Sequence, residues 1–404
     1  MQLRRRVLGI GATIVLAISA QGCGPGEADI DVSLLGPSVE RLPSDAVAAV
    51  MLSPLDVQFK KGSIADISRL VFLNRDMQPV GHLRALGMFR SQLVRVGDVL
   101  GFVDRENSLT VSKDGLQRRQ MGPFGISAVG ASARQSGQQA VIWTDGGIKS
   151  AQTGYESHLV RFRPNGTVES AQVEGRLVAS GVCGSDHLAI MESVGSTPAS
   201  RVVSVSDSGI RQGAPWAGGS SQSGREMPWA CLNQQVRVYL TNSTYGNGVG
   251  GTGVWTIALG TLASDDGESH YFNNSTPAEY ANLQNEWRSV VATGDAWWQE
   301  GGERRFVRED GAVAQLAADG LSVSEVFRAK ARNETVMAAD MVSPQSSGLT
   351  YSIVRNGDAE DQVLSIVSKH DGSAKRFANL EWLRKATLGQ PFGISDVAAL
   401  REIG

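Results

Sequence analysis

The chain has 404 residues, 41% hydrophobic and 20% charged, with a formal net charge of −3 and a pI near 6.0. That length allows two or three domains of about 100–200 residues, or one large repeat domain, and the near-average composition excludes a disordered chain. The slight acidity excludes a dedicated nucleic-acid binder, which needs a basic surface to neutralise phosphates. Glycine is abundant, 47 of 404, which without a collagen period means many turns.

The chain opens with Arg4, Arg5 and Arg6, followed by an uncharged, largely apolar run from Val7 to Ser19. A spanning helix needs about 20 residues, so this run is too short to cross a bilayer but suits the apolar core of an export signal. Ser19-Ala20-Gln21-Gly22-Cys23 then puts small residues before a cysteine. This resembles the lipobox of bacterial lipoproteins, in which the cysteine is acylated and becomes the mature N-terminus. The resemblance implies a signal peptide over 1–22, lipidation of Cys23, and an exported protein anchored to the cell membrane or outer membrane. Ordinary signal cleavage, leaving Cys23 as a thiol, is the alternative. Residues 23–44, rich in Gly, Pro, Ser and acids, are expected to be a flexible tether, ahead of a folded domain over 45–404.

Beyond the tether the chain repeats. Pro123-Phe124-Gly125-Ile126-Ser127 recurs as Pro391-Phe392-Gly393-Ile394-Ser395. One series of tight turns precedes β-rich runs: Gly97-Asp98, Gly137-Gln138, Gly184-Ser185, Asn233-Gln234, Gly294-Asp295 and Asn333-Glu334. A second series follows apolar alternation: Asn74-Arg75-Asp76, Asp114-Gly115, Asn165-Gly166, Ser208-Gly209, Gly260-Thr261, Asp310-Gly311 and Asp371-Gly372. Gly and Asn supply the positive φ that tight hairpins need. The second series recurs about every 50 residues, with four short strands per unit. The expectation is an all-β fold, a β-propeller of about seven four-stranded blades. A pair of β-sandwiches is the alternative. The second pentapeptide leads into a strand with nothing after it, while Ala46–Leu52 has no first strand before it. The C-terminal strand is therefore expected to complete the N-terminal blade and close the ring, removing two exposed edges.

Cys183 and Cys231 lie 48 residues apart, about one unit. Equivalent positions in neighbouring blades predict a disulfide in an oxidising compartment. Two buried thiols acting as small apolar residues are the alternative.

Other motifs fail on context. Gly246-Asn247-Gly248-Val249-Gly250-Gly251 fits G-x-G-x-x-G but lies between strands, not in a strand–turn–helix unit. Gly184-Ser185-Asp186-His187 cannot converge as a triad, because its members are adjacent in the chain. The five histidines (82, 158, 187, 270 and 370) show no metal spacing, and Asp265-Asp266-Gly267-Glu268 lacks the ligand pattern of a calcium loop. No metal, cofactor or nucleotide is expected.

The meander should carry short turns on one face and longer connections, near 145–157, 194–200, 214–227, 242–253 and 264–286, on the other. Long loops on a rigid scaffold concentrate binding residues, and these hold Tyr155, Trp216, Tyr245, Tyr271 and Tyr280. The sequence reading is a membrane-anchored binding or scaffolding module whose Trp216, Tyr245 and Tyr271 contact a protein or glycan of the envelope. The competing reading is a glycan-active hydrolase or lyase using carboxylates on the same face, since a fold of this kind supports both.

Overall fold

The computed structural model describes residues 30–54, 67–125, 127–133, 138–150, 154–183, 186–193, 199–213, 215–217, 229–232, 235–240, 253–258, 271–273, 297–300, 303–307, 312–316, 323–328, 334–339, 349–356, 362–368, 374–387 and 392–401. The alternating apolar runs become strands. A first sheet holds β1 (Ala48–Pro54), β2 (Ile67–Leu73) and β3 (Pro79–Leu86). A second holds β4 (Leu93–Val96), β5 (Val99–Val103), β6 (Asn107–Ser112) and β7 (Gly115–Gln120). The third is β8 (Ala128–Ala133), β9 (Ala140–Ser150), β10 (Gly154–Phe162) and β11 (Val168–Glu174). In the fourth, β12 (Arg176–Cys183), β13 (Asp186–Glu192), β14 (Ala199–Ser206) and β15 (Gly209–Gln212) are joined by a short β16 (Trp216–Ala217), which pairs with β14.

The fifth sheet comprises β17 (Trp229–Leu232), β18 (Gln235–Leu240), β19 (Gly253–Ala258) and β20 (Tyr271–Asn273). The sixth runs through β21 (Trp297–Glu300), β22 (Glu303–Val307), β23 (Ala312–Leu316) and β24 (Val323–Arg328). The seventh has β25 (Glu334–Ala339), β26 (Leu349–Asn356), β27 (Gln362–Ser368) and β28 (Ala374–Asn379). A short helix, α1 (Glu381–Thr387), precedes β29 (Phe392–Ala399), which pairs antiparallel with β1 and makes the first sheet four-stranded. The described residues thus form an all-β, propeller-like fold of antiparallel meanders.

Burial grades across a sheet. β1, with neighbours on both sides, is buried along its whole length, whereas the last strand of the second sheet ends in exposed Gln117-Arg118-Arg119-Gln120. The core lies between successive sheets. Phe72, Leu100, Phe102 and Leu109 fill the gap between the first and second. Val94, Val103, Ile142, Val160 and Phe162 fill the next, and Trp143, Leu159, Ala189 and Val203 the one after. Gly101 on β5 is needed for this packing, since a Cβ there would lie 2.6 Å from the ring of Phe162 on β10. The first strands of neighbouring sheets lie against one another: β25 on β29, β29 on β4, β4 on β8, β8 on β12 and β12 on β17.

Two expectations need correction. Residues 30–44 are not a free tether. Ile30 and Leu35 are buried against α1 and the first sheet, Asp31 N–H donates to the Ala386 carbonyl (3.0 Å), Ser38 bridges to His82, and Leu42 N–H donates to Ser112 (2.8 Å). Apolar side chains spaced through this polar stretch dock it.

The turn series also slips by one strand in the later units. Gly294-Asp295 and Asn333-Glu334 come ahead of β21 and β25 or at their start, not between first and second strands. Asp310-Gly311, outside the described residues, falls between β22 and β23 rather than after the third strand. The earlier described turns fall where expected: Gly97-Asp98 joins β4 to β5, Asp114-Gly115 lies at β6–β7, Asn165-Gly166 at β10–β11 and Ser208-Gly209 at β14–β15. Among the described residues no helix is long and apolar enough to cross a membrane.

Candidate functional site

An antiparallel meander delivers its second-to-third connections and its sheet-to-sheet links to one end. At the third and fourth sheets that end gathers charged and phenolic side chains. The expected long loop over 145–157 is instead mostly β-ribbon, because β9 and β10 are longer than most strands and pair as far as Ser150 and Gly154. Register shifts on either side of Tyr155 set it opposite Ile148 and Ser157 opposite Asp145. Such bulges re-aim a side chain. Here the Tyr155 hydroxyl donates to the Asp145 carboxylate. Asp145 is oriented in turn by Gly147 N–H, which donates to its Oδ1 at 2.8 Å from a positive-φ turn.

The link into the fourth sheet is tied to the same ribbon. Gly175 N–H donates to the Tyr155 carbonyl (2.7 Å), and Ser157 Oγ donates to the Gly175 carbonyl (2.9 Å). This brings Arg176, the first residue of β12, close enough for its charge to act on Tyr155. Arg176 stands opposite Glu192 in the β12–β13 register and donates to it, Nη2 to Oε2, at 2.6 Å. The Glu192 side chain is only 5% exposed and the Arg176 side chain 20% exposed. A carboxylate so buried requires that cationic partner.

On the other face of β10, His158 Nε2 lies 3.3 Å from Glu156 Oε1, and its ring meets Phe124 edge-on with centroids 6.0 Å apart. Phe124 and Gly125 belong to the first copy of the repeated pentapeptide, and Gly125 is a glycine for a local reason. At φ +82°, a Cβ on Gly125 would fall 1.6 Å from the Asp145 carbonyl oxygen. The absent side chain lets the backbone at Gly125 pass close to Asp145, whose N–H donates to the Ser127 carbonyl at 2.9 Å.

The electrostatics separate the roles. Burial pushes the Tyr155 phenol far above its ordinary range, the hydrogen bond and the negative charge of Asp145 push it further, and Arg176 pulls weakly the other way. Tyr155 is therefore a neutral hydroxyl whose proton has a carboxylate acceptor in place. A hydroxyl beside a base is the arrangement that activates an oxygen nucleophile or relays a proton. Asp145, Tyr155, Glu156 and Arg176 are all part-exposed, so a ligand at this end reaches them.

The residues singled out from the sequence lie elsewhere or beyond description. Cys183 ends β12, buried and in disulfide linkage. Cys231 is on β17, the strand packed against β12. Trp216 is on β16 and Tyr271 opens β20. Cys23, Tyr245, the 246–251 glycine motif and 265–268 lie outside the described residues. His187 is buried, its Nδ1 2.7 Å from Ser132 Oγ across the third and fourth sheets. Among the described residues no cluster of three or more His, Cys, Asp and Glu is arranged to hold a metal. Of the site described here, sequence reasoning had named only Tyr155, as one of several loop aromatics. The missed signal was that Asp145 and Tyr155 flank a ribbon, which sets them across from each other.

No family model matches the chain, and no curated protein does. Solved structures with a similar fold include cobalt-substituted Synechocystis ACO, an apocarotenoid oxygenase, at 10% identity and TM-score 0.48, covering 89% of this chain and 94% of that one. An ACO/RPE65 chimera matches at 11% identity and TM-score 0.45, covering 85% and 91%. A puromycin-hydrolysing peptidase of Mycobacterium tuberculosis matches at 12% identity and TM-score 0.43, covering 88% of this chain and 54% of that one. The oxygenase and the peptidase are enzymes, where the sequence reading expected a binding or scaffolding module, and that expectation is not carried forward. At these identities the likeness concerns fold and assigns this chain no chemistry.

Proposed function

We propose that this chain is an exported, membrane-anchored enzyme that cleaves an acidic glycan of the cell envelope. The observation that carries the reading is the Tyr155–Asp145 pair beside the Arg176–Glu192 pair at one end of the third and fourth sheets. Tyr155 is the group that meets the substrate. Asp145 accepts the phenolic proton as the tyrosine oxygen attacks the anomeric carbon or takes the proton beside the sugar carboxylate; the glycosidic C–O bond breaks in that step and the departing oxygen takes its proton back from Asp145, a role for tyrosine that some glycan-cleaving enzymes use in place of a second carboxylate. Arg176, held by Glu192, orients a sugar carboxylate, for which a planar guanidinium is suited.

The fold reading extends this. The seven meanders are the blades of one ring, closed where β29 joins β1. The pairing of β29 with β1 and the packing of β25 and β4 on β29 support it. The disulfide of Cys183 joins Cys231 one blade on, supported by the packing of β12 against β17. Lipidation at Cys23, after a signal over 1–22, anchors the enzyme near its polymer, and the N-terminal segment docks on the domain from Ile30 onward.

The test is incubation of the purified chain with a panel of acidic and neutral envelope polysaccharides. New reducing ends identify a hydrolase, and an unsaturated, ultraviolet-absorbing product identifies a lyase. Cleavage of acidic members that Asp145→Asn abolishes supports the reading. Failure to cleave any member, or equal cleavage by Asp145→Asn, overturns it.

A further inference from the structure

Asp145 meets Tyr155 across a bulge in β9. Where the register steps from the Asp145–Ser157 pair to the Ile148–Tyr155 pair, two residues of β9, Gly146 and Gly147, stand against one of β10, Glu156. An extra residue bends a strand and re-aims the side chains beside it. Whatever holds that bend in place also holds the acceptor of the phenolic proton.

The bend rests against His158. A Cβ on Gly146 would lie 2.9 Å from both Nε2 and Cδ2 of the His158 ring and 2.7 Å from the Glu156 carbonyl oxygen. Gly146 has no positive φ to account for it, unlike Gly147 at +77°. Close approach alone therefore requires the glycine, and the imidazole fills the space that a side chain would take. The ring is fixed in its turn. Phe124 meets it edge-on, and Glu156 Oε1 lies 3.3 Å from its Nε2. Phe124 is fully buried, and its N–H donates to the Arg105 carbonyl at 2.8 Å. The His158 side chain is only 9% exposed, too enclosed to meet a polymer.

We propose that His158 is a positioning residue for Asp145: its ring, packed against both Phe124 and the Gly146 backbone, sets the bulge and through it the placement of the Asp145 carboxylate on the Tyr155 hydroxyl. The proposal rests on the Tyr155–Asp145 pair being the reactive site, and it deepens that reading. It needs the volume of the ring at this place. A phenyl ring of similar span should serve, whereas alanine leaves a void into which the bulge can settle. Gly146→Ala disturbs the same contact from the other side.

The test reads the Tyr155 hydroxyl directly, by carbon-13 NMR of the full chain labelled at the tyrosine carbon that bears the oxygen. The Tyr155 signal is the one missing from Tyr155→Phe. Asp145→Asn is expected to move it, because the hydroxyl loses a charged acceptor. His158→Ala and Gly146→Ala are expected to move it in the same direction, and His158→Phe to leave it near the parent position. Leu109→Ala, a core truncation between the first and second sheets, should lower the melting temperature and leave the signal in place. The proposal is overturned if both His158→Ala and Gly146→Ala leave the signal unmoved, if Leu109→Ala moves it as far, or if His158→Phe moves it as far as His158→Ala. In glycan cleavage, His158→Ala is expected to lower kcat about tenfold or more with KM within about twofold, since a misplaced catalytic group costs turnover rather than binding. A loss carried by KM instead would overturn the proposal. If Asp145→Asn leaves the signal in place, the pair itself is absent and both readings fall. If the signal responds as expected in a chain that cleaves no glycan, His158 positions Asp145 as proposed and only the catalytic reading falls.

Discussion

Gly125 shows how one residue can fix the site. Its φ of +82° and the predicted clash with the Asp145 carbonyl leave no room for any side chain. Gly125→Ala is expected to destabilise the fold by roughly 3 kcal/mol or more, read as a fall in the denaturation midpoint. A second residue reports on pH. Burial disfavours the charge on Glu169, but the hydrogen bond and charge of Arg161, with Arg163 behind it, outweigh burial and hold its carboxyl below the usual range. Because the folded pKa is the lower one, its stabilisation is present above the unfolded value of about 4.3 and fades as pH falls through the folded value. Glu169 is 42% exposed, so solvent screens the pair, and Glu169→Gln should cost about 1 kcal/mol at neutral pH. Parent and variant stabilities should converge in acid, and a gap that persists below both pKa values would contradict the assignment. The candidate site itself was illegible at this scale. Asp145 and Tyr155 sit ten residues apart in what reads as a polar loop, and only the ribbon pairing and its bulge bring them together.

Among the elements, β29 is the most consequential. It supplies the neighbour that β1 needs, and the repeated pentapeptide pointed to it in the sequence. Removing residues 392–404 would leave β1, an apolar run buried along its length, as an open edge. The truncated chain is expected to aggregate, as size-exclusion chromatography would show, because such edges recruit other strands. A monodisperse truncated protein would contradict that role. The short turns were readable through the first four sheets, where alternation is strong and Gly or Asn marks most of them, although the 145–157 ribbon reads as a loop. In the sixth sheet, β21 ends at Glu300 and β22 begins at Glu303, with Gly301-Gly302 between them in the sequence, while Gly294-Asp295 offers a rival signal seven residues earlier. Local turn chemistry cannot choose between two such dipeptides, and the strand count slipped by one. The docked segment 30–44 was missed for a related reason: its apolar residues follow no period, so only tertiary packing shows what they cover.

For the molecule as a whole, the proposal joins an anchor, a rigid β scaffold and a reactive end. Cys23→Ser should move the protein from the membrane fraction to the soluble exported fraction, because stable anchoring at a bilayer needs more than one lipid chain or signal. A variant that stays membrane-bound with its signal removed would contradict lipidation. The scaffold explains why the reactive groups are held firmly. They sit on strands and a bulge, with hydrogen bonds donated by the Gly147 and Gly175 amides and one accepted by the Ser127 carbonyl fixing the ribbon and the link beside it. The measurement that bears most directly on the central claim is the rate of acidic-glycan cleavage by Tyr155→Phe against the parent, with thermal stability measured alongside. Loss of a hydroxyl that takes part in proton transfer or attack should lower kcat by about 100-fold or more at an unchanged melting temperature. Cleavage by Tyr155→Phe at the parent rate would contradict the assignment of this end as the active site.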